Sequence, residues 1–232
     1  LPASDVAPGD MVEVAFVAQP SDSSPLVDVS FLLHAGAALD PEGKKGLAAL
    51  TAAMITDGGS QAKTIDEINA AMFQMAAGFG AQVDKEMTRL AGQVHKDNLD
   101  AWYELVRGQL LFPAWSEKDF DRIKTQMTNA IRTDLVGNND EELGKEVLYA
   151  SLYGAEHPYG SLNLGHVGDI EAITLDEKSA LPPEACALSD KVQLDLRRRV
   201  ALAAGVDGLA LIGLVLRAPQ QAEQALPRQR ER

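Results

Sequence analysis

The segment from Lys44 to Ile55 is dense in alanine and leucine, which lose little on entering a helix. It stops at Asp57-Gly58-Gly59, where glycine can leave the helical conformation. Two strand-like runs precede it. Met11 to Val17 alternates loosely and is rich in branched residues. Pro20 and the Ser21 to Pro25 segment then turn the chain into Leu26 to Leu33. After the alanine-rich helix, Thr64 and Glu67 form a capping box. It opens a second helix with Ile65, Ile68, Met72 and Met75 on one side. Gly78 to Val83 and Met87 to Val94 read as a hairpin turning at Asp84-Lys85-Glu86. Asp97 is placed to cap a helix running through Leu111, with Leu99, Trp102, Val106 and Leu110 as its apolar stripe. Pro113 interrupts the pattern, and Ser116 opens a helix to about Val136. A turn at Gly137-Asn138-Asn139 leads to a last helix from Glu141 to Tyr153. This order, strands in pairs alternating with groups of helices, predicts an α+β domain with a mainly antiparallel sheet and several packed helices.

Composition narrows the function classes. With 232 residues the chain can bury one sizeable core, and 46% hydrophobic against 24% charged residues is a soluble, globular balance. The net charge of −13 argues against a nucleic-acid partner, because no basic patch offsets phosphate repulsion. The single Cys186 allows no internal disulfide. A boundary is expected at Asp176. Residues 178–232 contain no aromatic residue and carry nine Lys/Arg against six Asp/Glu, a net of +3 that leaves −16 to the rest. Residues 11–176 are therefore read as the domain and 177–232 as a divergent or frameshifted tail. Within that tail, Arg197-Arg198-Arg199 precedes an apolar run from Val200 to Leu216. The run is shorter than the roughly 20 residues of a membrane span and has Asp207 near its middle, so it reads as a helix rather than an anchor.

Several segments resemble one family in order and spacing. Gly46-Leu47-Ala48-Ala49-Leu50-Thr51-Ala52-Ala53-Met54 resembles the G-L-A-H-F-L-E-H-M helix of the pitrilysin/insulinase zinc peptidases, which carries their inverted H-x-x-E-H motif. Ahead of it, His34 to Leu47 is similar to the family's approach to the metal helix, with Asp40-Pro41, Gly43 and Gly46 in frame. Downstream, Glu156-His157-Pro158-Tyr159-Gly160 with Leu164-Gly165 resembles the family's HP-x-G…G loop, and Ile170 to Thr174 the segment after it. The resemblance implies the half-unit of a metallopeptidase-like fold. The family's next features, an aromatic helix and a strand, find no match from Ser179 onward, so the domain is expected to lack its last strand. Many bacterial relatives are exported, and the resemblance implies a periplasmic setting.

The same resemblance places the two histidine ligands and the glutamate base on Ala49, Ala53 and Ala52. The third ligand, a glutamate on a later helix, falls on Asn129 or Ala130. Alanine has no lone pair for a metal and no proton to transfer. The implied protein holds no cofactor and has no catalytic residue of its own. Its expected role is a structural or substrate-enclosing partner of an active, zinc-bearing homologous unit, or a self-associating unit where none is present. One alternative is a subunit of an active heteromeric zinc metalloendopeptidase whose metal sits in the partner. Another is an independent peptide-binding module that uses a sheet edge. The four histidines, His34, His95, His157 and His166, show no helical ligand spacing, and His157 before Pro158 reads as a turn-shaping residue.

Overall fold

The computed structural model describes residues 13–20, 24–154, 157–175 and 209–217. It is an α+β fold built on one five-stranded sheet. The strands are β1 (Glu13–Pro20), β2 (Leu26–Leu33), β3 (Gly78–Val83), β4 (Thr88–His95) and β5 (Leu209–Arg217), in the order β1-β5-β2-β4-β3. The β1–β5, β2–β4 and β3–β4 pairs are antiparallel, and β2–β5 is parallel. Along β2, Val27, Val29, Phe31 and Leu33 are all buried, the period of two expected when one face of a strand meets the core.

The fifth strand corrects the sequence reading. Leu209–Arg217 takes in the second half of the run from Val200 to Leu216 read as a helix, and it fills the place between β1 and β2 in a domain expected to lack its last strand. The physical reason is an ambiguity of pattern. A short, continuously apolar run fits a central strand as well as a buried helix, and periodicity cannot separate the two. The rest of the segment treated as a tail lies outside the described residues.

Among the described residues there are seven α-helical segments: α1 (Leu47–Asp57), α2 (Ile65–Gln74), α3 (Leu99–Leu111), α4 (Glu117–Asn129), the single turn α5 (Val136–Asn138), α6 (Asp140–Tyr153) and α7 (Val167–Ala172); α1, α2 and α3 lie against the sheet. A π-helical stretch, Ala130–Leu135, joins α4 to α5. The capping box of α2 forms as read, with Thr64 accepting from the Glu67 amide and Glu67 reaching back to the Thr64 amide. Ser116 likewise accepts from the Asp119 amide at the start of α4. Asp97 differs from expectation. It sits inside a 3-10 turn, Lys96–Asn98, whose cap is the His95 side chain, and α3 begins only at Leu99.

Nine of the eleven residues of α1 are buried, so this helix is the centre of the domain. On one side Ala52 and Ile55 join the cluster against the sheet, with Phe31, Leu90, Trp102, Val106, Ile68 and Met72. On the other, Leu47, Ala49, Leu50 and Met54 meet α4 and α7 through Phe120, Ile123, Met127, Ile131, Ile170 and Ile173. A helix with neighbours on both sides needs small apolar residues all round, which explains the alanine and leucine density.

Candidate functional site

The start of α1 is held by contacts from outside the helix. Asp40 is 7% exposed. Its two carboxylate oxygens accept the Gly46 and Ala48 amides, each at 2.8 Å, and so satisfy donors that a helix cannot pair internally. Burial pushes the Asp40 carboxyl above the usual carboxylate range, against the pull of the Gly46, Ala48 and Leu47 amides and of Lys45. The Lys45 ammonium donates to the Asp40 carbonyl at 2.7 Å, and the Lys45 amide donates to Asp169 at 3.1 Å. Gly46 and Gly165 both have positive φ, +105° and +87°. A Cβ on Gly165 would stand 2.1 Å from the Lys45 carbonyl oxygen and 2.3 Å from the Gly46 Cα. The His166 amide closes the contact by donating to the Lys45 carbonyl at 3.2 Å. The Asp40-to-Leu47 segment and the Leu164-Gly165 loop, far apart in sequence, thus form one clamp on the helix.

That clamp presents alanines. Ala49 is 7% exposed and lies in the cluster shared with α4 and α7, and the half-buried Ala53 packs against the same cluster. Ala52, 1% exposed, belongs to the cluster on the sheet side. Asn129, the last residue of α4, is exposed; Ala130 opens the π-helical stretch half-buried. The structure brings Ala49 and Ala53 into one apolar cluster with Met127, two positions before Asn129, and Ile131, next after Ala130. These positions do not fit a zinc ion. Three methyl groups and an exposed amide offer no set of nitrogen, sulfur or carboxylate donors. Among the described residues, no group of three or more His, Cys, Asp or Glu is placed to hold a metal.

The histidines lie apart from α1's alanines in role. The His157 ring accepts from the Tyr159 amide at 3.1 Å, shaping the turn into a 3-10 segment, Pro158–Gly160. The His95 ring accepts from the Asp97 amide, and His166 stands 3.7 Å from Asp169. His34 is exposed at the end of β2.

A polar cluster beside the β3–β4 turn was not legible in the sequence. Lys85 donates to the Ser161 carbonyl, Tyr159 donates to Glu86, and Asn163 reaches Asp84 at 3.4 Å. The bond to Glu86 pushes the Tyr159 hydroxyl up to about 12. Burial lowers the Lys85 ammonium and raises the Glu146 carboxyl, while the attraction between the two opposes both shifts. Tyr159 and Glu86 stand 73 positions apart, and no motif spacing signals such a pairing.

Comparison with known proteins gives the fold a family context. The insulinase family (peptidase family M16) matches residues 16–159. No curated protein matches the sequence at a significant level. Among solved structures, a peptidase M16 inactive domain from Pseudomonas fluorescens is similar at TM-score 0.60 with 19% identity, over 90% of this chain and 48% of that one. A protease from Helicobacter pylori is similar at TM-score 0.56 with 16% identity, over 92% of this chain and 48% of that one. Pitrilysin is similar at TM-score 0.55 with 14% identity, over 89% of this chain and 20% of that one. The chain therefore spans about half the length of the first two and about a fifth of pitrilysin.

Proposed function

We propose that this chain, which belongs to the insulinase family (peptidase family M16), is a non-catalytic unit that walls in substrate or braces the fold beside an active, zinc-bearing homologue. The observation that carries this reading is the chemistry of α1. Ala49, Ala52 and Ala53 stand on a clamped, buried helix where the resemblance expects two metal ligands and a base, and none of them can bind or transfer anything. The Asn129 and Ala130 pair adds no carboxylate. The clamp persists without the chemistry, as expected of a fold kept for its shape. That one solved relative is described as an inactive domain supports the same reading. The finer variant, in which this chain completes an active heteromeric zinc metalloendopeptidase, assigns the metal and base wholly to the partner. An exported setting belongs to the proposal on the strength of the resemblance alone.

Co-expression with a zinc-bearing homologue tests the reading. The expected result is a stable complex whose peptide cleavage disappears when the partner's H-x-x-E-H motif is mutated and persists when Ala49, Ala52 or Ala53 is changed. Cleavage by this chain alone, or a chain that never joins such a partner, would sink it. One observation favours a second reading, the peptide-binding module. β3 is at the edge of the sheet, and four of its six residues are exposed, so an extended peptide could add there as a further strand. Peptide binding by an isolated monomer would favour that reading instead.

A further inference from the structure

Helix α6 is fourteen residues long, and not one of them is buried. Isolated helices of this length are marginal in water, and most helices in proteins rest on a packed apolar face. Yet α6 carries Val147, Leu148, Tyr149, Leu152 and Tyr153, all exposed, with Leu152 at 68% and Val147 at 57%. Leu148 and Leu152 stand one turn apart on one face. Tyr149 and Tyr153 line the neighbouring face, their rings stacked at 6.2 Å, and Tyr153 stacks in turn on His157 at 5.1 Å. The aromatic side is thereby fixed toward the Pro158–Gly160 turn, while the two leucines are left with water. Contiguous apolar patches of this kind mark interaction sites.

The charge around the patch is one-sided. Asp140, Glu141, Glu142 and Glu146 lie on α6, and Asp84 and Glu86 on the β3–β4 turn beside it. Among the described residues, Lys145 pairs with Glu141 at 2.9 Å and Glu142 at 2.7 Å, Lys85 donates to the Ser161 carbonyl, and Lys45 donates to the Asp40 carbonyl. We propose that the α6 face docks an amphipathic helix of another protein chain whose apolar stripe is flanked by lysine or arginine. A second copy docked α6 against α6 fits poorly, because it brings acidic turns together and the one cation of the helix, Lys145, is already paired with Glu141 and Glu142. An anionic membrane surface is repelled for the same reason. A helix with basic flanks meets both requirements, covering Leu148 and Leu152 while its cations share Glu141 and Glu142 with Lys145, on a helix that keeps four carboxylates against that one ammonium. This inference shares with the proposed function only the need for a second chain; it does not depend on the fate of the metal.

The test uses the full chain and three synthetic 20-residue peptides: a leucine/lysine helix with an apolar stripe, its leucine/glutamate counterpart, and a scrambled leucine/lysine sequence without a stripe. Fluorescence anisotropy is read at low and high salt. The expected result is binding of the striped basic peptide alone, weakened by salt. It should also weaken by roughly tenfold or more in Leu148→Asp/Leu152→Asp and in Glu141→Lys/Glu142→Lys. Both double variants change exposed residues, and circular dichroism checks that they remain folded. Equal binding of the scrambled or acidic peptide, or binding indifferent to both variants, overturns the proposal. So does a dimer in sedimentation that Leu148→Asp/Leu152→Asp abolishes, which would assign the face to a second copy. Zinc content and peptidase activity do not enter this readout, so its failure and that of the proposed function are distinguishable.

Discussion

Replacing Asp40 by alanine tests the claim that the start of α1 is held from outside the helix. The substitution removes both acceptors of the Gly46 and Ala48 amides, each bonded at 2.8 Å in a buried setting. A buried donor left unpaired costs about 1–3 kcal/mol, and loss of a helix N-terminal cap about 1 kcal/mol. Relief of the buried charge offsets part of this, which leaves a net loss of roughly 2–4 kcal/mol. For a domain of this size that is a fall in melting temperature of roughly 5–15 °C. Thermal melts followed by circular dichroism measure it. Glu42→Ala, an exposed neighbour, serves as the control and should change stability by less than about 0.5 kcal/mol. The pH dependence supplies a second check. Burial raises the folded-state value of Asp40 above its unfolded value, so the folded chain binds this proton more tightly. The stability that Asp40 contributes is full below the unfolded value, falls as pH rises toward the raised folded one, and is level above it. The penalty of Asp40→Ala should therefore shrink as pH rises through that window. A penalty under about 0.5 kcal/mol, or one that grows with pH, would refute the reasoning.

The remaining predictions concern neighbouring parts of the same framework. Gly165→Ala should destabilise by about 3 kcal/mol or more, because its Cβ would collide with backbone. Gly154→Ala meets nothing within 4 Å, so chemical denaturation should show only the backbone strain of its φ of +82° and ψ of 158°, about 1–3 kcal/mol. Ending the chain after Asp176 removes β5 and leaves β1 without its pairing strand, so size-exclusion chromatography should show aggregation rather than a folded monomer. A cooperatively melting, monomeric truncation would contradict the placement of that strand. Restoring Ala49→His, Ala52→Glu and Ala53→His together should give weak zinc binding by titration calorimetry. Adding Ala130→Glu should tighten it by roughly tenfold or more if that position is the counterpart of the third ligand. Because Ala49 and Ala52 are buried, the triple variant should also lose stability, by about 1–3 kcal/mol per overpacked site.

Most of the architecture was readable because local chemistry and tertiary need coincide. Thr64 and Glu67 announce a helix start by their own hydrogen bonds, and Leu99, Trp102, Val106 and Leu110 keep helical spacing because they all face the sheet. Gly46 and Gly165 were legible as motif residues, while the collision that demands glycine at both became visible only with Lys45 and Gly165 side by side. The strand Leu209–Arg217 was misread because its pairing to β1 and β2 is wholly non-local, and its composition suits a helix as well. The polar cluster of Lys85, Glu86, Tyr159 and Glu146 has no local signature, since its members meet across the fold from separate elements. At the candidate site, sequence and structure speak to different things. The alanines stand where the resemblance expects ligands and a base, and the structure shows Ala49 buried against α4 and α7.

Zinc content of the purified full chain tests the central claim most directly. The protein would be equilibrated with excess zinc, passed over a chelating resin and analysed by elemental mass spectrometry, with peptide cleavage assayed on the same sample. With methyl groups at Ala49, Ala52 and Ala53 and no carboxylate at Asn129 or Ala130, the account predicts far less than one zinc per chain and no cleavage that a chelator removes. One tightly held zinc per chain with chelator-sensitive cleavage would contradict it.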